Sequence, residues 1–247
     1  MNFIGIIPSR FASTRFPGKP LVDINGKSMI QRVYEQAKLV LDHVYVATDD
    51  DRIAKEVERF GGKFVMTSEK HQSGTDRIAE AIKLLKSDYN DDFDVVINIQ
   101  GDEPFIQPEQ ITEIMSCFNK DKTEIATLVK KIEQNEDIFD VNKPKVLFDK
   151  NMKAIYFSRS PIPYLRNIDK LEWHLKHNYF KHIGMYAYKT DVLKQITQLK
   201  QSSLEIAESL EQLRWIENDF TITVSETQFE SIGVDTPEDL QNILNNA

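Results

Sequence analysis

Residues Phe3-Ile4-Gly5-Ile6-Ile7-Pro8 make a short, nearly unbroken apolar run closed by a proline, and Val95-Val96-Ile97-Asn98-Ile99, preceded by Asp94 and followed by Gly101, makes another. Short apolar runs of this kind mark strands covered on both faces, the condition of a parallel sheet. Amphipathic helices lie between them. Ser28 is placed to cap a helix carrying Ile30, Val33, Ala37 and Leu41 at near-fourfold spacing, and a strand Val44–Ala47 follows. Residues 51–60 repeat the helical pattern with Ile53, Val57 and Phe60, and Gly61-Gly62 then offers a left-handed C-terminal cap. Strands alternating with helices predict a doubly wound α/β fold with right-handed crossovers.

Further along, the rhythm changes. A strand is expected at Ile125–Val129, then an antiparallel hairpin in which Val146–Phe148 and Ala154–Ser158 flank the turn-like Asp149-Lys150-Asn151. Residues 159–180 are polar and hold Pro161 and Pro163, so 130–180 reads as a small antiparallel excursion from the main sheet. A strand Ile183–Tyr188, a helix Leu204–Ile216 and strands at Phe220–Val224 and Glu230–Val234 complete the reading. No internal repeat or low-complexity tract interrupts residues 1–247, which are read as a single domain.

With 247 residues, 40% of them apolar, the chain is long enough for a sizeable core. Its 14 Phe, 8 Tyr and 2 Trp supply aromatic mass that disordered compositions lack. Lys+Arg 31 against Asp+Glu 39 gives a net charge of -8, which disfavours nucleic acid and anionic lipid as partners. The one cysteine, Cys117, excludes an internal disulfide. No signal-peptide pattern opens the chain, and its apolar stretches fall short of the ~18–20 residues that cross a bilayer, so a cytoplasmic location without membrane insertion is expected.

Open α/β sheets bind ligands at the carboxyl ends of their strands. The loop after the first strand, Pro8-Ser9-Arg10-Phe11-Ala12-Ser13-Thr14-Arg15-Phe16-Pro17-Gly18-Lys19-Pro20, holds three cations and no acid in a chain that is negative overall. Small hydroxyl residues and a glycine let backbone amides approach an oxyanion, and Arg and Lys suit a triphosphate. Two nucleotide motifs are excluded. Gly26-Lys27-Ser28 resembles the end of a Walker A loop, but the position that needs the first glycine is Leu21, and no G-x-G-x-x-G follows the first strand.

That loop is one of five blocks that occur in consistent order. The others are His71-Gln72-Ser73-Gly74-Thr75-Asp76-Arg77, Asn98-Ile99-Gln100-Gly101-Asp102-Glu103-Pro104, Tyr156-Phe157-Ser158-Arg159, and Gly233-Val234-Asp235-Thr236-Pro237-Glu238-Asp239-Leu240. Together they resemble the 3-deoxy-D-manno-octulosonate (KDO) cytidylyltransferases, also called CMP-KDO synthetases. The resemblance implies a Rossmann-like nucleotidyltransferase fold, with a mixed, mostly parallel sheet and helices on both faces. It also implies the reaction CTP + KDO to CMP-KDO + pyrophosphate for lipopolysaccharide synthesis, with Mg2+, in a homodimer joined through the 130–180 excursion.

The resemblance assigns roles to individual residues. Asp102 and Asp235 become metal ligands, both expected just past strands on one rim of the sheet; magnesium favours such hard oxygen donors. An Asp before a helix is ordinarily its N-cap, but Thr236-Pro237-Glu238-Asp239 already holds a capping Thr, a proline at the first turn and an acid, which leaves Asp235 spare. Asp49-Asp50-Asp51 imitates a metal cluster, but Asp50 or Asp51 is expected to cap the following helix. Arg10, Arg15 and Lys19 join the two aspartates as catalytic residues. CTP falls to Pro8, Ser9, Arg10, Lys19, Gln72, Ser73, Gly74, Arg77 and Asp102, although His71–Arg77 alone reads simply as a capped helix start.

For the sugar acid the resemblance points to Gln100, Arg159, Arg166, His182, Tyr186, Glu211 and Gln212. The expected helix 204–216 would bury Leu210, Leu213 and Ile206 and turn Glu211 and Gln212 to another side. Ser203 departs from the family's usual proline in Ser-Pro-Leu-Glu, but a serine here can cap the helix. The rivals are a cytidylyltransferase acting on sialic acid or on an 8-amino KDO analogue, and a nucleotide-binding regulatory module without turnover.

Overall fold

The computed structural model describes residues 1–12, 16–71, 73–89, 92–119, 122–133, 136–230 and 232–246. The chain divides into two compact units, the first made of residues 1–112, 187–197 and 231–247 and the second of residues 113–186 and 198–230.

In the first unit, β1 (Phe3–Ser9) is followed by the small hairpin of β2 (Asp23–Ile24) and β3 (Lys27–Ser28), then α1 (Met29–Lys38), β4 (Val44–Thr48), α2 (Asp51–Arg59), β5 (Phe64–Met66), α3 (Gly74–Tyr89) and β6 (Val95–Asn98). The strands pair in parallel, β4 and β6 flanking β1 and β5 lying outside β4. Ile4, Ile6, Ile7, Val95, Val96 and Ile97 are buried, as runs without polar alternation require. Ser28 caps α1 by accepting from the Gln31 N–H, and Ile30, Val33, Ala37 and Leu41 are buried. Asp50 caps α2, and Gly61 ends that helix at φ 76. Gly26, the Walker-like glycine, sits at φ 83 in the β2–β3 turn.

The helix α4 (Pro108–Ser116) leads into the second unit, which holds β7 (Ile125–Lys131), β8 (Lys145–Phe148), β9 (Ala154–Ser158), α5 (Trp173–Lys176) and the start of β10 (Phe180–Lys189). The chain then runs through α6 (Thr190–Ile196), α7 (Ser203–Glu208), α8 (Gln212–Glu217) and β11 (Ile222–Glu226), and ends in α9 (Pro237–Asn246) of the first unit. The strand β11 pairs in parallel with β7, while β8 pairs antiparallel with both β9 and β10. The expected hairpin is therefore present. Asp149 shapes its turn by accepting from the N–H groups of Asn151 and Lys153. Within 130–180, Ile132, Ile138, Trp173 and Tyr179 form a core of their own.

Two expectations are corrected. Residues 232–236 are not a strand: the Val234 N–H bonds to the Asp102 carbonyl at 2.9 Å, a loop-to-loop bond in place of a ladder. The helix expected at 204–216 is two helices, because Ser209 turns left-handed (φ 52, ψ 48) at the end of α7. The break buries Gln212 at 4% exposure and leaves Ile206 64% exposed, the reverse of the expected faces, although Leu210 and Leu213 are buried as expected. Ser202 caps α7 in a reciprocal box with Glu205, so the missing proline costs the helix no cap.

Candidate active site

The carboxyl ends of β1 and β6 bound a cavity of about 200 Å³ in the first unit, lined by Pro8, Ser9, Arg10, Lys19, Asp102 and Asp235 together with Pro20, Gln100 and Gly101. A second cavity of about 170 Å³ shares Pro8, Ser9, Arg10 and Gln100 and adds His71, Ser73, Gly74 and Arg77. Pro8, Ser9, Arg10, Lys19 and Pro20 of the predicted basic loop, both aspartates, and His71, Ser73, Gly74 and Arg77 thus meet at one rim. Gly101 permits the close approach, since a Cβ there would stand 3.1 Å from the Pro8 carbonyl oxygen. Arg15 and Gln72, also expected here, lie outside the described residues.

Lys19 opens a short 3-10 turn (Lys19–Leu21) behind Gly18, which is left-handed at φ 73. Its ammonium donates to Asp102 Oδ2 at 2.8 Å and to Asp235 Oδ1 at 3.2 Å. Asp235 arrives there through the Val234–Asp102 backbone bond, while Thr236 and Asp239 cap α9, Thr236 Oγ1 accepting from the Asp239 N–H and Asp239 Oδ2 from the Thr236 N–H. Asp235 is therefore not the cap. Two carboxylates 133 positions apart address a single cation position, and both offer hard oxygen donors, a set that fits a magnesium ion whose other ligands are water or phosphate. Among the described residues no three His, Cys, Asp or Glu side chains gather to hold a metal by themselves.

Ser73 caps α3, its Oγ accepting from the Asp76 N–H. Arg77 is 4% exposed and donates to Asp49 Oδ2 at 2.6 Å and Thr67 Oγ1 at 2.7 Å. Asp49, set aside in the sequence as part of a decoy cluster, thus orients a residue of the cavity; nothing in the acid run distinguishes it from its neighbours. Ser9 is buried, and its hydroxyl has no hydrogen-bond partner among the described residues.

Of the residues expected to meet the sugar acid, Gln100 lies in the first unit and the other six in the second. Arg159 spends Nε, Nη1 and Nη2 on the carbonyls of Glu208, Val141 and Ser209. His182 shares a hydrogen bond with Thr127 Oγ1 at 2.9 Å and packs on Phe157 and Tyr186. Burial pushes its imidazole down to about 3, so it meets any ligand as a neutral ring. Tyr186 is buried edge-on to Trp215. Glu211 is half-buried at the start of α8, the buried Gln212 Nε2 has no partner among the described residues, and Arg166 is exposed.

The cytidylyltransferase family profile matches residues 4–226. The chain belongs to the cytidylyltransferase family. Among similar proteins, a 3-deoxy-manno-octulosonate cytidylyltransferase of Parabacteroides distasonis is 59% identical over 99% of this chain and 97% of its own length. One of the same name from Bacteroides thetaiotaomicron is 58% identical over 98% and 96%. A solved CMP:2-keto-3-deoxy-manno-octonic acid synthetase complexed with CTP superposes with a TM-score of 0.89 at 42% identity, covering 100% of this cytidylyltransferase and 98% of that chain. The sheet and helices are those of the Rossmann-like nucleotidyltransferase fold, as expected. Among the described residues of this cytidylyltransferase no helix is long and apolar enough to cross a membrane.

Proposed function

We propose that this cytidylyltransferase activates KDO, converting CTP and the sugar acid to CMP-KDO and pyrophosphate for lipopolysaccharide assembly in the cytoplasm. The observation that carries the reading is identity of 59% with a KDO cytidylyltransferase along almost the whole of both chains. The cavity at the β1–β6 rim supports it, because cations and acids converge there as phosphoryl chemistry requires. The anomeric hydroxyl attacks the α-phosphorus in line. A new C–O–P bond forms, the bond from the α-phosphorus to the bridging oxygen breaks, pyrophosphate leaves with that oxygen, and the hydroxyl proton passes to water.

Asp102 and Asp235 would hold Mg2+, which when bound supplies charge that screens the phosphate oxygens. Lys19, Arg10 and Arg15 neutralise the departing pyrophosphate. Pro8, Ser9, Ser73, Gly74 and Arg77 line the nucleotide's place, to which Gln72 is also assigned, and buried polar groups left unpaired by the wrong base give discrimination. Gln100 in the first unit, and Arg159, Arg166, His182, Tyr186, Glu211 and Gln212 in the second, are the residues assigned to the sugar acid. His182 serves as a neutral hydrogen-bonding group, which leaves the carboxylate to the arginines.

A second copy of the chain docks on the 130–180 excursion, which presents Tyr164, Leu171 and Leu175 to solvent at 70%, 82% and 59% exposure. Sedimentation of the purified chain tests this, a monomer at micromolar concentration being the adverse result. Pyrophosphate release over a grid of sugar acids and nucleoside triphosphates tests the activity: CTP with KDO should exceed every other pair. Preference for sialic acid or an 8-amino analogue selects a rival substrate, and binding of CTP without product selects a regulatory module.

A further inference from the structure

The end of α7 grips the end of β9. Glu208 Oε1 accepts from Ser158 Oγ at 2.6 Å and Oε2 from the Arg159 backbone N–H at 2.9 Å, while its carbonyl accepts from Arg159 Nε at 2.7 Å. The left-handed turn at Ser209 presents the next carbonyl to Nη2 at 3.2 Å, and the Val141 carbonyl takes Nη1 at 2.8 Å. Both the main chain and the side chain of Arg159 are therefore fixed from one helix terminus.

The partners of the guanidinium nitrogens are neutral. Three of the five N–H groups an arginine carries are used by carbonyls, which set the plane of the fork without cancelling its charge. The carboxylate of Glu208 bonds instead to the backbone and the serine hydroxyl. A guanidinium held rigidly and without an ion-pair partner among the described residues is preorganised for a carboxylate ligand, because little side-chain entropy remains to be lost when the ligand arrives.

We infer that Glu208 is a positioning residue for the sugar-acid site, holding Arg159 in a fixed attitude from which it meets the substrate carboxylate. The inference rests on the proposed activity for the identity of that substrate, and on the geometry alone for the fixing of Arg159.

Two measurements separate these parts. In nitrogen-15 spectra, the Arg159 backbone N–H, which donates to the Glu208 carboxylate, should exchange slowly with solvent in the unaltered protein and at least about tenfold faster in Glu208→Ala. The Arg159 Nε–H, assigned by its absence from Arg159→Lys, should follow it, because the end of α7 that carries its carbonyl partner is no longer tied to β9 through that carboxylate. In steady-state kinetics Glu208→Ala should raise KM for KDO about tenfold, the loss expected for one well-placed charged contact, with KM for CTP and kcat nearly unchanged. Glu208→Gln, which can still accept from the Arg159 N–H, should recover most of that loss, and Arg159→Lys combined with Glu208→Ala should be little worse than Arg159→Lys alone. Equal Nε–H exchange in both proteins, or a uniform fall in kcat with both KM values unmoved, overturns the inference. An unaltered protein that fails to use KDO overturns the activity instead, and the exchange comparison still decides whether Glu208 fixes Arg159. If Glu208→Ala does not fold, Glu208→Asp, with the carboxylate withdrawn by one methylene, makes the same comparison.

Discussion

The ammonium of Lys19 lies 2.8 Å from the carboxylate of Asp102, a residue 83 positions further along the chain, and both line the cavity where β1 and β6 end. The side chains are 13% and 33% exposed, so the pair is wet enough to exchange partners and dry enough to matter. An ion pair between the loop after one strand and the loop after its neighbour is a by-product of parallel strand order, and it concentrates charge of both signs at one rim.

Asp102→Asn keeps the size of the side chain and removes its charge. The fold should survive, since Asp102 is partly exposed and its backbone bond to Val234 is untouched. Turnover should fall by about 100-fold or more, the scale on which lost electrostatic stabilisation of a transition state is felt. Pyrophosphate release measures it, and near-normal turnover would remove Asp102 from the mechanism.

Lys19→Ala leaves Asp102 and Asp235 facing each other without a cation. In a chelator the variant should melt about 2–4 °C lower, for a loss near 1 kcal/mol discounted for solvent screening, and Mg2+ should restore the difference. The same variant should lower kcat/KM for CTP. A melting temperature indifferent to magnesium would mean that the two carboxylates do not share a cation.

Arg77→Ala strips the partner from Asp49, which is itself only 14% exposed. Breaking a buried pair costs about 3–5 kcal/mol, far more than a surface ion pair, because the remaining charge is stranded. Urea unfolding gives the loss directly. A change below about 1 kcal/mol would show that Asp49 finds water or another donor.

Acid stability has a specific sensor in the second unit. Burial opposes ionisation of Glu136, but hydrogen bonds from Lys181, the Glu133 N–H and Lys143 outweigh it and hold its carboxyl at about 2, below the ordinary 4.5. A depressed carboxyl stabilises the folded form above its unfolded pKa, so this contribution is complete above about pH 4.5 and is lost as pH falls toward 2. Its size is on the order of 2 kcal/mol. Glu136→Gln should flatten the unfolding free energy across that window; an unchanged slope places the acid sensitivity elsewhere.

What could be read from the residues was whatever depends on near neighbours. The strand run Phe3–Ile7, the cap at Ser28, the Asp149-Lys150-Asn151 turn and the capping pair Thr236–Asp239 are local, set by backbone preferences and by hydrogen bonds spanning a few positions. The helix break at Ser209 was not legible, because the pattern of Leu210 and Leu213 suits either one helix or two, and only the packing that buries Gln212 separates them. The edge strand β5 is three residues long, too short to carry a period. Nor could the sequence distinguish Asp49, which holds Arg77, from Asp50, which caps α2.

The sequence by itself determined the alternation of strands and helices and the basic loop, since those follow from residue types in order, while the two aspartates were singled out by the family resemblance. Only the tertiary structure decided that Lys19, Asp102 and Asp235 meet at one point, that Arg77 is anchored by Asp49, and that Arg159 is fixed by the end of α7. Contacts across dozens of positions depend on how whole elements pack, and that balance of burial against chain entropy is not written in any single stretch.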